Sequence, residues 1–159
     1  MSRASAFDAA GMRAVAVVRR PWLNRVVVPF TNTGNYGAVW VVLGVVAGAP
    51  VRVAATTWTT LGLNYAVKRV IRRERPVVEE LETLIPLPLS TSFPSSHAAM
   101  SLAAAFALTR AQPELWQLWF TAALLMALSR LYVRAHYPTD VAVGIVLGVL
   151  VGLLALSVG

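Results

Sequence analysis

Three clusters of polar residues interrupt an otherwise apolar chain, and their types suit phosphate chemistry. They are Lys68-x6-Arg75-Pro76, Phe93-Pro94-Ser95-Ser96-His97 and Ser129-Arg130-x5-His136-x3-Asp140. Lysine offers a compact point charge and arginine a planar fork, a combination matched to phosphate oxygens. Ser95, Ser96 and His97 stand where a helix begins, and the free N–H groups of such an end attract anions. His136 and Asp140 are four residues apart, so the carboxylate can hold one imidazole nitrogen and leave the other free to attack. His97 is a second imidazole, able to protonate a leaving oxygen. Each residue taken alone has a plainer reading. Arginines flanking apolar spans anchor topology, a serine in a Pro-Ser-Ser turn caps a helix, and a lone histidine near a helix end is commonly structural. Arg69, Arg72, Arg73 and Arg134 keep that plainer reading, whereas in the clusters spacing and chemistry agree.

The elements that must position these groups are written in the composition. Of 159 residues, 57% are hydrophobic and 13% charged, with a mean hydropathy of +0.65. Soluble domains carry about a quarter charged residues, so this chain has too few to clothe a globule. That excludes disorder and a soluble enzyme. Fourteen Lys+Arg against seven Asp+Glu leave a net charge of +7, and pI is near 11.1. Such basicity alone would suit nucleic acid, but beside this apolar content it points to lipid headgroups, with no nucleic-acid partner. The absence of cysteine excludes disulfides and thiolate metal sites. Residues 1–14 lack the apolar core of a cleaved signal peptide. Lys68 is the single lysine of an Arg-rich chain whose composition resembles that of a GC-rich, actinobacterial genome.

Five apolar stretches, 36–49, 53–67, 97–109, 115–128 and 141–158, are bounded by charge, Pro or Gly. Several fall short of the roughly 20 residues of a free-standing span. Their polar ends must therefore extend the helices at membrane depth, facing a protein cavity. Ahead of them, 9–31 interleaves arginines with Val, Trp22, Leu23 and Phe30 and is interrupted by Pro21 and Pro29, which reads as an interfacial amphipathic helix. The expected fold class is all-α: an integral membrane helical bundle of five transmembrane helices plus that N-terminal helix. The whole chain is one domain, 1–159, with 1–34 interfacial and 35–159 the transmembrane core. Gly144, Gly148 and Gly152, and Gly44 with Gly48, permit close helix approach, either within the bundle or across a homodimer seam. The long 76–94 loop carries Glu79, Glu80 and Glu82, which solvate it, balance the nearby cations or help to cover the pocket.

Five spans put the N-terminal segment, the 68–94 loop and the 130–139 loop on one side of the membrane. Twelve basic residues then lie on that side, against Arg52 and Arg110 on the other. Removing Lys68, Arg75 and Arg130 leaves nine against two, and the positive-inside rule still makes this side cytoplasmic. The expected location is the inner (plasma) membrane, multi-pass, with all three polar clusters on the cytoplasmic face.

The clusters resemble the signature of the type-2 phosphatidic acid phosphatases, the lipid-phosphatase branch of the vanadium haloperoxidase superfamily: K-x6-R-P, P-S-G-H and S-R-x5-H-x3-D. The match runs from Lys68 to Asp140, and Thr31-x-Thr-Gly34-Asn35-x-Gly37-x-x-Trp40 is similar to the family's approach to its first span. Ser96 replaces the motif glycine, a small side chain that still lets the backbone amide reach phosphate. The resemblance implies that His136 is the nucleophile, forming a phosphohistidine oriented by Asp140, and that His97 is the general acid. It further implies a phosphate clamp of Lys68, Arg75 and Arg130 with Ser95 and the Ser96 and His97 amides, working without metal or cofactor. The substrate would be a lipid phosphate. The cytoplasmic side lowers the weight of undecaprenyl diphosphate and favours a polyprenyl-linked phosphomonoester such as decaprenylphosphoryl-5-phosphoribose, with phosphatidylglycerol phosphate next. Two non-enzymatic readings use the same text, a lipid-headgroup binding protein and a small structural membrane protein.

Overall fold

The computed structural model describes residues 5–76, 83–87 and 90–157, and every regular element among them is helical. Glu79, Glu80 and Glu82 lie outside the described residues. Two helices precede the core, α1 (Ala6–Val17) and α2 (Pro21–Thr33). The N-terminal segment is thus two helices rather than one. The chain turns at 18–20 because Pro21, with its fixed φ and missing N–H, suits the first position of a new helix. Pro29, expected as a second break, sits inside α2. The α1 N-cap is Ser5, whose hydroxyl accepts from the Asp8 amide.

The core consists of α3 (Ala38–Val46), α4 (Pro50–Ile71), α5 (Ser96–Ala111), α6 (Trp116–Tyr132) and α7 (Pro138–Ser157). Each falls on one of the five expected apolar stretches. Of the described helices, α7 alone is both long and apolar enough to cross a membrane by itself. The first stretch is shorter than expected, because a 3-10 turn at Asn35–Gly37 precedes α3. There Tyr36 and Gly37 both have positive φ, and a Cβ on Gly37 would lie 2.3 Å from the Thr57 methyl. The second stretch is longer, because α4 continues a turn past Val67 and carries Lys68 inside the helix.

Helix α5 is the central staff, with Ala98, Ala99, Ala103, Ala104 and Ala105 fully enclosed. It packs against α4, α6 and α7. Trp40, Val53, Leu102, Leu108, Trp119 and Met126 complete the main core. Helix α4 carries a polar stripe of Thr56, Thr57, Thr60, Asn64 and Lys68, all buried; 56, 60, 64 and 68 are four apart and share one face, with Thr57 beside them. Meanwhile Val42, Val46, Leu118, Leu124, Leu150 and Leu154 point outward and are exposed. The bundle therefore has an apolar exterior and an apolar core crossed by one buried polar stripe, an arrangement that hydrocarbon tolerates because the polar groups face protein.

The glycines of α7 face α5. A Cβ on Gly144 would come within 2.6 Å of the Ser95 carbonyl oxygen, on Gly148 within 2.3 Å of that of Ala99, and on Gly152 within 2.3 Å of the Phe106 ring. The close approach is used within the chain, and α5 occupies the face that a homodimer through Gly144, Gly148 and Gly152 would need. Gly148→Ala should destabilise the protein by about 1–3 kcal/mol, as overpacking does. Gly62→Ala, where nothing lies within 4 Å of the added carbon, should be neutral or stabilising by about 0.5–1 kcal/mol. Thermal unfolding of both variants in the same detergent checks the contrast.

Candidate active site

Four chain segments converge at one end of the bundle: the end of α4 with residues 72–76, the 90–95 turn opening α5, the end of α6, and the 133–137 loop that leads into α7. The Ser95 amide donates to the Asp140 carbonyl at 2.9 Å, fastening the start of α5 to the start of α7. The Ser95 hydroxyl caps α5 by accepting from the Ala98 amide. The Phe93–Pro94 bond in this turn is cis. Between these segments lies a cavity of about 470 Å³ whose wall includes Arg75, Ser96, His97, Arg130 and His136. Neutral polar side chains, Asn32, Asn35, Tyr36 and Tyr65, also line it. Lys68, Ser95 and Asp140 stand behind that wall and bear on it through their partners.

The three cations of the motif are held by oxygens of the backbone and of neutral side chains. Lys68 Nζ donates to the carbonyls of Thr91 (2.6 Å) and Ser92 (3.4 Å). Arg75 donates from Nε to the Ser90 carbonyl at 2.8 Å and from Nη1 to the Ala135 carbonyl at 2.7 Å. Arg130 Nη1 donates to the Thr31 hydroxyl at 2.7 Å, and its Nε is enclosed without a partner among the described residues. Thr31 also accepts from Ser129, so α2 fixes the end of α6 from outside the motif. Ser96 is tied down where the motif carries glycine: its hydroxyl donates to Asn64 Oδ1 at 2.6 Å, and Asn64 Nδ2 donates to the Pro94 carbonyl at 3.3 Å. The extra hydroxyl is therefore absorbed by α4.

His136 is 2% exposed, and its two ring nitrogens face different neighbours. Nδ1 lies 3.7 Å from Asp140 Oδ2, within ion-pair range but beyond a hydrogen bond. Nε2 lies 3.4 Å from Arg75 Nη1, on the cavity side. Burial, followed by the charges of Arg75, Arg130 and Lys68, pushes the His136 imidazole down to about 3, against the pull of Asp140. The ring is thus neutral at physiological pH, the state in which an imidazole nitrogen can attack. His97 Nε2 is enclosed with no hydrogen-bond partner among the described residues. A neutral imidazole and a second imidazole on one cavity, with Arg75 and Arg130 in its wall and Lys68 behind it, can bind a phosphoryl group and transfer it.

Two residues belong to this site that the motif does not name. Arg73 donates from Nη1 to Asp140 Oδ1 (2.7 Å) and to the Thr139 hydroxyl (2.7 Å), and from Nη2 to Asp8 Oδ2 (2.6 Å). Its guanidinium lies over the Tyr137 ring, 4.2 Å from the centroid. Asp8, 1% exposed, also accepts from the Thr139 amide at 3.0 Å. Burial alone would raise the Asp8 carboxyl and lower the Arg73 guanidinium. Their mutual hydrogen bond and the other contacts reverse both shifts, and each group is held charged. The reading of Arg73 as a mere topology anchor is corrected: it supports Asp140. The available signal was Asp8 itself, the one acidic residue ahead of Glu74 in a strongly basic stretch. Arg134, also read as an anchor, is buried as well.

Residues 49–159 match the family model described as the PAP2 superfamily, and the chain belongs to that family. It is 32% identical to the decaprenylphosphoryl-5-phosphoribose phosphatase of Mycobacterium tuberculosis, over 99% of this chain and 93% of that protein. Among solved structures, it is similar to the transmembrane PAP2 type phosphatidylglycerolphosphate phosphatase of Bacillus subtilis, with a TM-score of 0.75 and 28% identity over 94% of this chain and 83% of that one. Aquifex aeolicus LpxE shares the fold over 99% of both chains, with a TM-score of 0.84 and 22% identity.

Replacing Arg73 should act through Asp140 and not through substrate contact. Arg73→Gln is expected to lower kcat by about tenfold or more, on the scale of losing an outer partner of a site residue, with KM changed much less. Asp8→Asn should show the same signature more weakly in steady-state kinetics. The pH dependence of stability follows from His136. Its folded value is depressed, so between about 6.5 and about 3 the unfolded chain binds the proton and the folded chain does not. Stability from this group is therefore present above pH 6.5 and declines as the pH falls. The Tm of His136→Gln should decline less than that of wild type between pH 7 and pH 4.

Proposed function

We propose that this chain removes the terminal phosphate of a polyprenyl-linked phosphosugar of the decaprenylphosphoryl-5-phosphoribose kind. It is a membrane phosphatase of lipid phosphates of the PAP2 type. The finer substrate reading draws support from the near full-length likeness to the mycobacterial enzyme. The neutral lining of the cavity supports it too, since Asn32, Asn35 and Tyr65 offer donors and acceptors to the hydroxyls of a sugar beside the phosphate. Phosphatidylglycerol phosphate is the second reading, favoured by the likeness to the Bacillus structure.

The observation that carries the mechanism is the placement of His136, with one nitrogen toward Asp140 and the other on the cationic cavity. His136 Nε2 attacks phosphorus while Arg75 and Arg130, with Lys68 behind them, balance the charge of the phosphoryl oxygens. The amides at the start of α5 add their dipoles. As the P–O bond breaks, His97 gives a proton to the departing alcohol. An arriving phosphate dianion raises the proton affinity of nearby imidazoles, which favours a protonated His97 when it is needed. Water, giving a proton back to His97, then attacks the phosphohistidine, releasing phosphate and restoring neutral His136. Asp140 stabilises the charge on His136 in both steps. No step calls for a metal or cofactor.

Five spans, α3 to α7, with α1 and α2 in the interface, form a single domain over 1–159 in this reading. The apolar outer faces of the core helices support the membrane setting of this reading. Twelve basic residues against two support an inner-membrane protein with a cytoplasmic site.

A substrate panel with EDTA present tests the proposal. Phosphate release should be fastest from the polyprenyl phosphoribose 5-phosphate, slower from phosphatidylglycerol phosphate and slowest from undecaprenyl diphosphate. His136→Ala should abolish release, and His97→Ala should reduce kcat by roughly 10²–10⁴-fold. Full activity of His136→Ala would overturn the mechanism, and a preference for undecaprenyl diphosphate would overturn the substrate.

A further inference from the structure

The end of α2 closes over the catalytic cavity from a part of the chain that the motif does not reach. Thr31 lies in its last turn, ahead of the residues 49–159 that match the family model, and is fully buried. Its hydroxyl accepts from Arg130 Nη1 at 2.7 Å and meets the Ser129 hydroxyl at 2.8 Å. The backbone of the same residue bonds the His97 ring. His97 Nε2 has no hydrogen-bond partner among the described residues, so that bond falls to Nδ1. Three residues on, Gly34 seats the turn, for a Cβ there would lie 2.8 Å from His97 Cδ2 and 2.7 Å from Met126 Sδ. One residue of α2 thus touches two members of the cavity wall, His97 at the start of α5 and Arg130 at the end of α6.

Arg130 depends on this contact. It is 2% exposed, its Nε has no partner, and the bond from Nη1 to Thr31 is the one that orients its guanidinium among the described residues. A long side chain keeps its rotamer freedom unless something fixes it. A neutral hydroxyl does so without cancelling the charge, whereas a carboxylate in the same place would compete with phosphate for the fork. His97 has a corresponding need, since a ring bonded at Nδ1 presents Nε2 in one direction. In the proposed reaction Arg130 faces a phosphoryl oxygen and His97 the departing oxygen of the same phosphorus. The spacing of the two side chains must match that of two oxygens on one tetrahedral centre. Displacements on the order of 1 Å cost about a hundredfold in rate.

We propose that Thr31 is a positioning residue of this reaction, its hydroxyl setting the Arg130 fork and its backbone the His97 ring, so that α2 fixes the spacing of phosphate clamp and general acid. This inference rests on the phosphatase reading of the site. The N-terminal segment then contributes to the rate as well as to anchoring in the interface. Both contacts serve charge that develops as the P–O bond breaks, so loss of the hydroxyl falls on kcat more than on KM.

Full-length protein in detergent with EDTA is assayed for phosphate release from polyprenyl phosphoribose 5-phosphate and from phosphatidylglycerol phosphate. Orthovanadate affinity is measured separately without lipid, because vanadate takes the shape of a phosphoryl group in transfer. Thr31→Val keeps the side-chain shape and removes the hydroxyl. It should lower kcat and orthovanadate affinity each by about tenfold, the scale of losing an outer partner of a site residue, with KM changed less than about twofold. Thr31→Ser restores the hydroxyl and should recover both. Added to Arg130→Met, Thr31→Val should cost nothing further, because the two residues act as one unit. Should Thr31→Val fail to fold, Ser129→Ala removes only the hydroxyl beside Thr31 and should show the same kcat-selective loss at roughly two- to fivefold.

A purely structural Thr31 would lower Tm while the folded protein kept wild-type kcat and vanadate affinity, and that result in Thr31→Val, or in Ser129→Ala in its stead, overturns the proposal. So does full additivity with Arg130→Met, a Thr31→Ser as impaired as Thr31→Val, or a wild type that binds no orthovanadate. A wild type that binds orthovanadate but releases no phosphate from any lipid phosphate overturns the phosphatase reading instead, and the vanadate measurements then decide the role of Thr31 alone.

Discussion

Asp140 is fully buried, and the charged groups around it are arranged by what that carboxylate requires. Its Oδ1 accepts from Arg73 and its Oδ2 from the Tyr137 amide, and its backbone carbonyl receives the Ser95 amide. A buried carboxylate survives only if paired and hydrogen-bonded. Here the pairing reaches four parts of the chain: α1 through Asp8, the segment after α4 through Arg73, the start of α5 through Ser95, and α7. The same carboxylate lies 3.7 Å from His136. Fold and chemistry thus share one group.

The cations obey a different rule. Lys68 and Arg130 have lost most of their water but have no carboxylate of their own in hydrogen-bond contact among the described residues. They are held by the carbonyls of Thr91 and Ser92 and by the Thr31 hydroxyl. These dipoles position the charges without cancelling them, which leaves the cavity attractive to a dianion and keeps His136 neutral. A salt bridge in the same place would have held the side chains as well and spent the field.

Helix packing makes this compact. The alanine-rich α5 and the glycine stripe of α7 allow backbone-to-side-chain approach that larger residues would prevent. That approach brings the beginnings of α5 and α7 together, and with them His97, Ser95 and Asp140. The polar stripe on α4 then delivers Lys68 and Asn64 to the same end, and Asn64 takes up the hydroxyl of Ser96.

Much of this was legible in the residues themselves. Five apolar stretches foretold five core helices, because burial and hydropathy are properties of composition. The motif residues were legible as one set by type and spacing, but their convergence at one end of the bundle is made by contacts between segments, such as that of the Ser95 amide with the Asp140 carbonyl. The boundaries were less legible: α4 carries Lys68 within the helix, and Pro29 is tolerated inside α2. Arg73 was misread, and Asp8 passed over, for a clear reason. Their importance lies in a contact across 65 residues, and no local pattern reports such a contact. The same holds for Thr31 with Arg130, and for Arg134, whose enclosure depends on segments distant in the chain. Sequence alone determined the chemistry available and the membrane setting of this protein. Tertiary structure decided which arginines serve the site, because desolvation and pairing are set by neighbours that only folding supplies.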